Sequence, residues 1–313
     1  MVYVQDIDGK PMMPTTRHGK VRRLLKANKA TVVNLCPFTI QLTYKSTDHK
    51  QPVTLGIDAG AKHIGFSATT EKEELFACET ILRTDIVDLL STRSQNRRTR
   101  RSRLRYRKPK FNNRVFSKKK GWVAPSVKQR IDSHLNEVNE IHKILPITKI
   151  VIEAAQFDTH KMKNPNISGI DYQNGEQLGF WNVREYVLFR DGHKCSYCKG
   201  KSKDLILNIH HIESRKTGGD SPSNLITLCE TCHKEYHKGN IDLKVRRGKS
   251  LCGAAIMGIM KWRLYDELKS RYSNVSMTFG YITKYNRIKY GIEKSHTSDA
   301  FVISKNFNAK RIE

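Results

Sequence analysis

Acidic residues are the scarce component of this chain: 30 Asp and Glu stand against 57 Lys and Arg in 313 residues, a formal charge of +27. From Leu89 to Ile131 there is no acidic residue at all. So one-sided a balance repels itself when compact, and a polyanion offsets it. Nucleic acid fits that need, with an anionic membrane surface as the plainer rival. Long apolar runs are also missing. Nothing approaches the ~20 residues that span a bilayer, and the opening MVYVQDIDGK has no signal-peptide pattern. A soluble cytoplasmic protein without membrane contact is expected. Cysteine is sparse and odd in number, seven in all. Four fall in two CxxC pairs while Cys36, Cys78 and Cys252 are scattered, which argues against a disulfide framework and for a metal site in a reducing compartment. Neither an internal repeat nor a long low-complexity segment is present, which excludes a solenoid.

What is there divides into more than one unit, as this length suggests. Residues 1–50 read as a small unit, with the basic helix-like stretch GKVRRLLKANKA and the strand TIQLTYKS. VTLGIDAGAKHIGFSATT is a strand, a glycine turn and a second strand. HLNEVNEIHKIL has helical periodicity and TKIVIEAA is a short buried-type strand. Residues 156–180, rich in Asn and Gly, form a connector. Beyond about residue 240, AAIMGIMKWRLYDELKSRY is helical, FGYITKYNRIKY strand-like, and SHTSDAFVIS opens a last helix. The order predicts a mixed α/β fold with one domain embedded in another.

Cys195, Cys198, Cys229 and Cys232 suit one tetrahedral zinc ion, because each pair presents two thiolates from a single tight turn. A closed four-thiolate site leaves no open position for substrate, so this zinc is structural. Between and after the pairs stand His210, His211, Asn224 and His233. In the strand-like run DLILNIHHI, successive side chains face opposite ways, so one histidine can meet a metal while the other addresses water. A plain zinc ribbon with incidental histidines is the alternative. Taken together, HHI, GGD, SNL and LCETCH resemble the HNH endonuclease module. That resemblance implies His211 as general base, His210 and His233 as ligands of a magnesium ion, Asn224 as the orienting residue, and His237 as a possible third ligand.

A second set of residues is spread along the chain. Asp58 lies at the end of a strand before a glycine turn, Glu153 ends another strand, and Asp299 opens a helix with His296 one turn before it. Singly, each has an ordinary structural explanation as a turn or cap residue. Together they fit an RNase H-like nuclease of the RuvC type, whose distant carboxylates converge on two magnesium ions, with His296 as a ligand or base. The whole arrangement resembles the IscB family, transposon-associated RNA-guided DNA endonucleases related to the ancestors of HNH-containing CRISPR effectors. GKPMMPTTRHGKVRRLLKANKA looks like that family's N-terminal PLMP motif region, with Met in place of Leu at position 12. RRTRRSRLRYR looks like its bridge helix, and GIDAG, VIEAAQFD and HTSDAFVI like its three RuvC motifs. Asp58-Ala59-Gly60 departs from the usual Asp-Pro-Gly, and the chain stops soon after Asp299, where many relatives continue into a domain that contacts target and guide.

The resemblance implies an order along the chain: a PLMP-like domain at 1–50, RuvC segment I at 51–90 and an arginine-rich bridge helix with basic linker at 91–125. RuvC segment II with its connector follows at 126–180, the ββα-metal HNH zinc-clip domain at 181–242, and RuvC segment III at 243–313. Arginine stands at 93, 97, 98, 100, 101, 103, 105 and 107. Guanidinium groups around most of a helix cannot bury a face in a protein core, but they can grip phosphates on several sides. The resemblance to a bridge helix implies a guide RNA as the partner of Arg97, Arg98, Arg100, Arg101, Arg103 and Arg105, against the alternative of a solvated charge run. Phe111, Phe116 and Trp122, interleaved with lysines, suit stacking on unpaired bases or anchoring of a loop. The function implied is RNA-guided cleavage of double-stranded DNA by a monomeric protein with a noncoding RNA. HNH would cut the guide-paired strand and RuvC the displaced one. The alternatives are an RNA-independent HNH endonuclease of homing or restriction type, and an RNA-binding transposon-associated protein without efficient cleavage.

Overall fold

The computed structural model describes residues 1–47, 49–103, 121–154, 157–248 and 251–312. Among the described residues it is a mixed α/β protein with three sheets, and it separates into two compact units: residues 1–157 with 256–313, and residues 158–255.

The first unit begins with β1 (Tyr3–Gln5), α1 (His18–Lys26), β2 (Ala30–Leu35) and β3 (Phe38–Leu42). These strands form a small sheet in the order β1-β3-β2, closed over Val2, Val21, Ala30, Ile40 and Leu42. Next come β4 (Thr54–Ala59), β5 (His63–Thr69) and β6 (Glu74–Ile81), then α2 (Ile86–Ser102), α3 (Pro125–Ile144) and β7 (Lys149–Ala154). The chain then leaves for the second unit: α4 (Thr159–Lys163), α5 (Val183–Arg190), β8 (Leu207–His211), α6 (Arg215–Gly218), β9 (Leu225–Cys229) and α7 (Glu230–His237). It returns along α8 (Cys252–Arg271) to β10 (Val275–Phe279), α9 (Gly280–Lys289) and α10 (His296–Ser304).

The main sheet runs β10-β7-β4-β5-β6; β4, β5 and β6 are antiparallel, and β7 and β10 run parallel to β4. Strand alternation divides the labour of its central residues. Leu55, Ile57 and Ala59 of β4 and Ile150 and Ile152 of β7 point into a core closed by Val127, Ile131, Leu135, Val138 and Ile141 of α3 and Met260, Leu264 and Leu268 of α8. The intervening Gly56 and Asp58 face α10 instead. Close approach is why glycine is required there: a Cβ at Gly56 would collide with the Ala300 carbonyl, and one at Gly65 with the His296 carbonyl. α10 thus lies directly on β4 and β5. Its first turn is fixed by Ser295, whose hydroxyl accepts from the Ser298 N–H.

The segment FGYITKYNRIKY is not a strand. The strand ends at Phe279, and Gly280–Lys289 is helical. Tyr281, Tyr285 and Ile288 recur at helical spacing and are exposed, so the β-favouring residues of this stretch decorate an outer helix face instead of a sheet.

α3 also buries a titratable group. His134 is fully buried; its Nδ1 lies 2.7 Å from the Arg130 carbonyl, and Nε2 has no partner. Burial first, then the neighbouring Lys261 charge, hold its pKa down to about 4 from 6.5. Below pH 6.5 the unfolded chain takes up a proton that the native state refuses, so stability should fall as pH drops from about 6.5 towards about 4. The full loss is about 3 kcal/mol at ~1.4 kcal/mol per unit. Denaturant unfolding of His134→Leu at pH 7.5 and 4.5 should show a smaller acid loss than the wild type by about that amount. An equal loss in both would exclude His134 as its source.

Candidate nuclease sites

In the second unit, β8 and β9 pair antiparallel with His211 opposite Leu225, and α7 follows β9 without a break. The four cysteine sulfurs gather where β9 turns into α7. They lie within 4.8 Å of one another, with Cys195, Cys229 and Cys232 buried and no disulfide formed. Ile226, Leu228, Leu207, Ile212, Ile241 and Leu243 pack round them. Burial raises the Cys198 thiol, but hydrogen bonds from the side chain and backbone of Ser202 and from Gly200 outweigh it and bring the pKa down to about 6. A thiolate at neutral pH and a closed tetrad of soft donors fit zinc.

The alternation expected of His210 and His211 is present. His210 is buried and looks towards α7, where His233 and His237 sit one turn apart; the three offer nitrogens within 4.8 Å of one another. His233 and His237 approach to 3.3 Å between their Nε2 atoms. His210 Nε2 is buried without a hydrogen-bond partner. Burial, then the charges of His233, His237 and His211, lower the His210 pKa to about 4, and burial and His237 lower that of His233. His210 and His233 held towards the neutral form, with the His210 Nε2 atom buried and unpartnered beside them, suit a divalent ion.

His211 faces the other way and meets Asp220, whose Oδ1 lies 2.9 Å from Nε2. Asp220 is held in turn by Arg215, and these two partners lower its pKa. With Nε2–H donating to Asp220, the free lone pair of His211 is on Nδ1. Asn224 makes no hydrogen bond to His211. Its Nδ2 donates to the Glu213 and Gly219 carbonyls at 3.0 Å and its Oδ1 accepts from the Glu213 N–H at 2.9 Å, so the buried amide ties down the loop that carries Asp220. Gly218 is required beside it, because a Cβ there would strike the Asn224 amide. The group that touches His211 is thus Asp220. The sequence displays it in GGD, one of the strings that carry the HNH resemblance, but gives it no role there.

In the first unit, Asp58 and Glu153 lie on adjacent parallel strands just past the Ile57–Ile152 pairing, on the face that α10 covers. His296 Nδ1 is 2.7 Å from Asp58 Oδ2. Asp299, one helical turn into α10, completes the group. Burial foremost raises the pKa of Asp58, and the Glu153 charge adds to it. Burial, then the charges of Asp58 and Glu153, raise that of Asp299. Asp58 and Asp299, burdened by burial and by neighbouring negative charge, offer with Glu153 the oxygen donors that hard divalent cations take. Beside them His63 stacks on His296 at 5.2 Å and pairs with Glu79 at 2.7 Å. Neither partner was visible in the sequence, because only the β5–β6 pairing brings them together.

α2 has no buried residue along its 17 positions, as expected of a helix ringed with guanidinium groups. Arg97, Arg98, Arg100 and Arg101 lie on it and Arg103 follows it; Arg105, Arg107, Phe111 and Phe116 lie outside the described residues. Among the described residues, no helix is long and apolar enough to cross a membrane.

The HNH endonuclease model matches residues 195–239, the stretch that holds the four-cysteine clip and the imidazole cluster on two strands and a helix. The chain belongs to the RRXRR protein family, whose model matches residues 2–175, more than half of its 313 residues. Arg97-Arg98-Thr99-Arg100-Arg101 lies within that match and has the pattern of the family's name. These two domains in one chain fit an IscB-like nuclease. Anaredoxin from Nostoc sp. is 34% identical over 66 residues, which is 21% of this chain and 84% of that protein. Among solved structures, Streptococcus thermophilus Cas9 in complex with the AGAA PAM is 14% identical, with a TM-score of 0.41, over 59% of this chain and 26% of that one. The Type II-C Cas9 of Actinomyces naeslundii is 12% identical, with a TM-score of 0.32, over 82% and 60%. The chain thus spans about a quarter of the length of the Streptococcus protein.

Proposed function

We propose that the protein is an RNA-guided DNA endonuclease with two cutting sites. The His210–His233–His237 site would cut the strand paired to the guide, and a RuvC-type site at Asp58, Glu153 and Asp299 would cut the displaced strand. The observation that carries this reading is the second site. Carboxylates from three separated segments lie near enough for the charges of Asp58 and Glu153 to act on Asp299, at a sheet in which three antiparallel strands are extended by two parallel ones as in RNase H-like folds, in a chain that also has an HNH match. One chain with two unrelated metal sites suits a substrate with two strands.

Divalent ions, magnesium in the cell, would be held by the three imidazoles and by the three carboxylates, and when bound would supply Lewis acidity at the scissile phosphates. The chain's own groups do the rest. In the HNH module His211 Nδ1 accepts the proton of the attacking water, while Asp220 fixes the ring and steadies the imidazolium that forms. In the RuvC-type site His296, held by Asp58, stands ready to bind or deprotonate at the same edge. The exposed arginines of α2 grip the guide by its phosphates, and strand choice lies in base pairing.

Purifying the protein from cells carrying its native locus and sequencing the nuclease-protected RNA tests this directly. A discrete, reproducible RNA that directs cutting of a matching duplex is expected. Sequence-specific cutting by RNA-free protein would instead favour an RNA-independent HNH endonuclease.

A further inference from the structure

Each carboxylate of the RuvC-type site already has a nitrogen-bearing side chain from elsewhere in the chain against it. His296 holds Asp58, as described. Lys261 of α8 places Nζ 3.0 Å from Glu153 Oε1, and Arg287 of α9 places Nε 3.1 Å from Asp299 Oδ1. These are enclosed pairs: the Lys261 side chain is 5% exposed and that of Glu153 15%, and the Arg287–Asp299 pair is nearly as sheltered. Gly280 lies against the Glu153 carboxylate, and a Cβ there would come within 3.4 Å of Oε1. The start of α9 therefore crowds the same group from another side.

Charge conservation limits what such a site can do. Lys261 and Arg287 bring two positive charges to three carboxylates. Divalent cations added to the same oxygens with both still in place would create a concentrated positive charge in a partly enclosed space. The ammonium and the guanidinium must therefore yield their oxygens as metal enters. A sheltered Lys released from its partner needs a new anion nearby, and the anion this site receives is the phosphate of a nucleic-acid strand. An ammonium as point charge and a guanidinium as fork both suit phosphate oxygens.

We propose that Lys261 and Arg287 are exchangeable counter-ions, which hold the carboxylates in the metal-free protein and transfer to the strand's phosphate as divalent metal displaces them. The proposal rests on the reading of Asp58, Glu153 and Asp299 as a metal site. Its consequence is reciprocal coupling: metal binds weakly until a strand arrives, and each ligand tightens the other by the same factor. A nuclease that carries such a strand-dependent metal site stays idle between targets.

The test is Mn2+ binding, read by electron paramagnetic resonance on the full chain with His210→Ala to silence the imidazole cluster. A phosphorothioate single strand is added or left out. In that background the strand should tighten Mn2+ binding by about tenfold, within the usual range of coupling between sites. Lys261→Met should bind Mn2+ about as tightly without strand as its parent does with it, and gain little on strand addition. Lys261→Arg should restore the coupling, and its melting curve controls for folding. Unchanged Mn2+ affinity in a folded Lys261→Met, or no tightening by the strand in the parent, overturns the proposal. If Glu153→Gln binds Mn2+ as its parent does, the carboxylate reading itself falls and the exchange falls with it.

Discussion

His211→Ala should slow cutting of the guide-paired strand by about 10²–10⁴-fold, the usual contribution of a positioned general base, while the displaced strand is cut at the normal rate. Asp58→Ala should do the converse. Removing one of three carboxylates that share a cation costs several kcal/mol of charge stabilisation, or about a thousandfold at ~1.4 kcal/mol per decade. Strand-specific end labels on one duplex read both effects at once. The proposed division makes the two effects separable. His211 lies in one compact unit and Asp58 in the other, and no residue is common to the two sites. Folding does not confuse the comparison. Burial raises the Asp58 pKa, so its ionised form is less favourable in the native state than in the unfolded chain. That group opposes stability as pH rises through its folded pKa, and its removal relieves the opposition. Asp58→Ala should therefore keep its melting temperature at neutral pH. If either single change abolishes both cuts, the assignment of one strand to each site is wrong.

The parts of these sites that were legible in the sequence are those whose geometry is local. Two CxxC pairs specify a four-thiolate site because each pair is one turn of chain, and His210-His211 on a strand must face opposite ways. The long-range carboxylates were legible only through motif resemblance, because their convergence depends on β4 and β7 lying side by side in register. Lys261 gave no signal. It stands 108 residues from Glu153, and a lysine on an amphipathic helix ordinarily reads as a solvent-facing residue. Asp220 stood in the motif string GGD, but its contact with His211 was not legible, because it depends on how the Asn224 amide ties down the loop between β8 and β9. The segment after Phe279 reads as a strand in the sequence because Tyr, Ile and Thr favour strands by composition. Its helical period and the glycine at its start decide otherwise, and α9 rests against α10.

Replacing Cys195 with Ser, or removing zinc with a strong chelator, should unfold the second unit and leave the first intact. The reason is the poverty of the apolar cluster around the cysteines, with Val187, Leu188 and Leu225 buried outside it. Three of the five buried members of that cluster are the cysteines themselves, and the other two are Ile226 and Leu228. So small a core supplies only a few kcal/mol of burial at about 1.5–3 kcal/mol per apolar side chain. A structural zinc ion contributes on the order of 10–16 kcal/mol in small zinc modules, far more than that core can offer. Serine keeps the shape but is not a thiolate, so the ion is lost along with the link between the Cys195–Cys198 turn and the start of α7. His233 and His237 ride on that helix, so the imidazole cluster should disperse and cutting of the guide-paired strand should cease. The sheet bearing Asp58 and Glu153 has its own core on α3 and α8, and the displaced strand should still be cut. Metal analysis should find about one zinc per wild-type chain. Hydrogen exchange should show protection lost across residues 195–239 in Cys195→Ser and retained in β4, β5 and β7. A Cys195→Ser protein that keeps its zinc and the protection of β8 and β9 would mean that the four thiols are packing residues and that the fold of the module stands without metal.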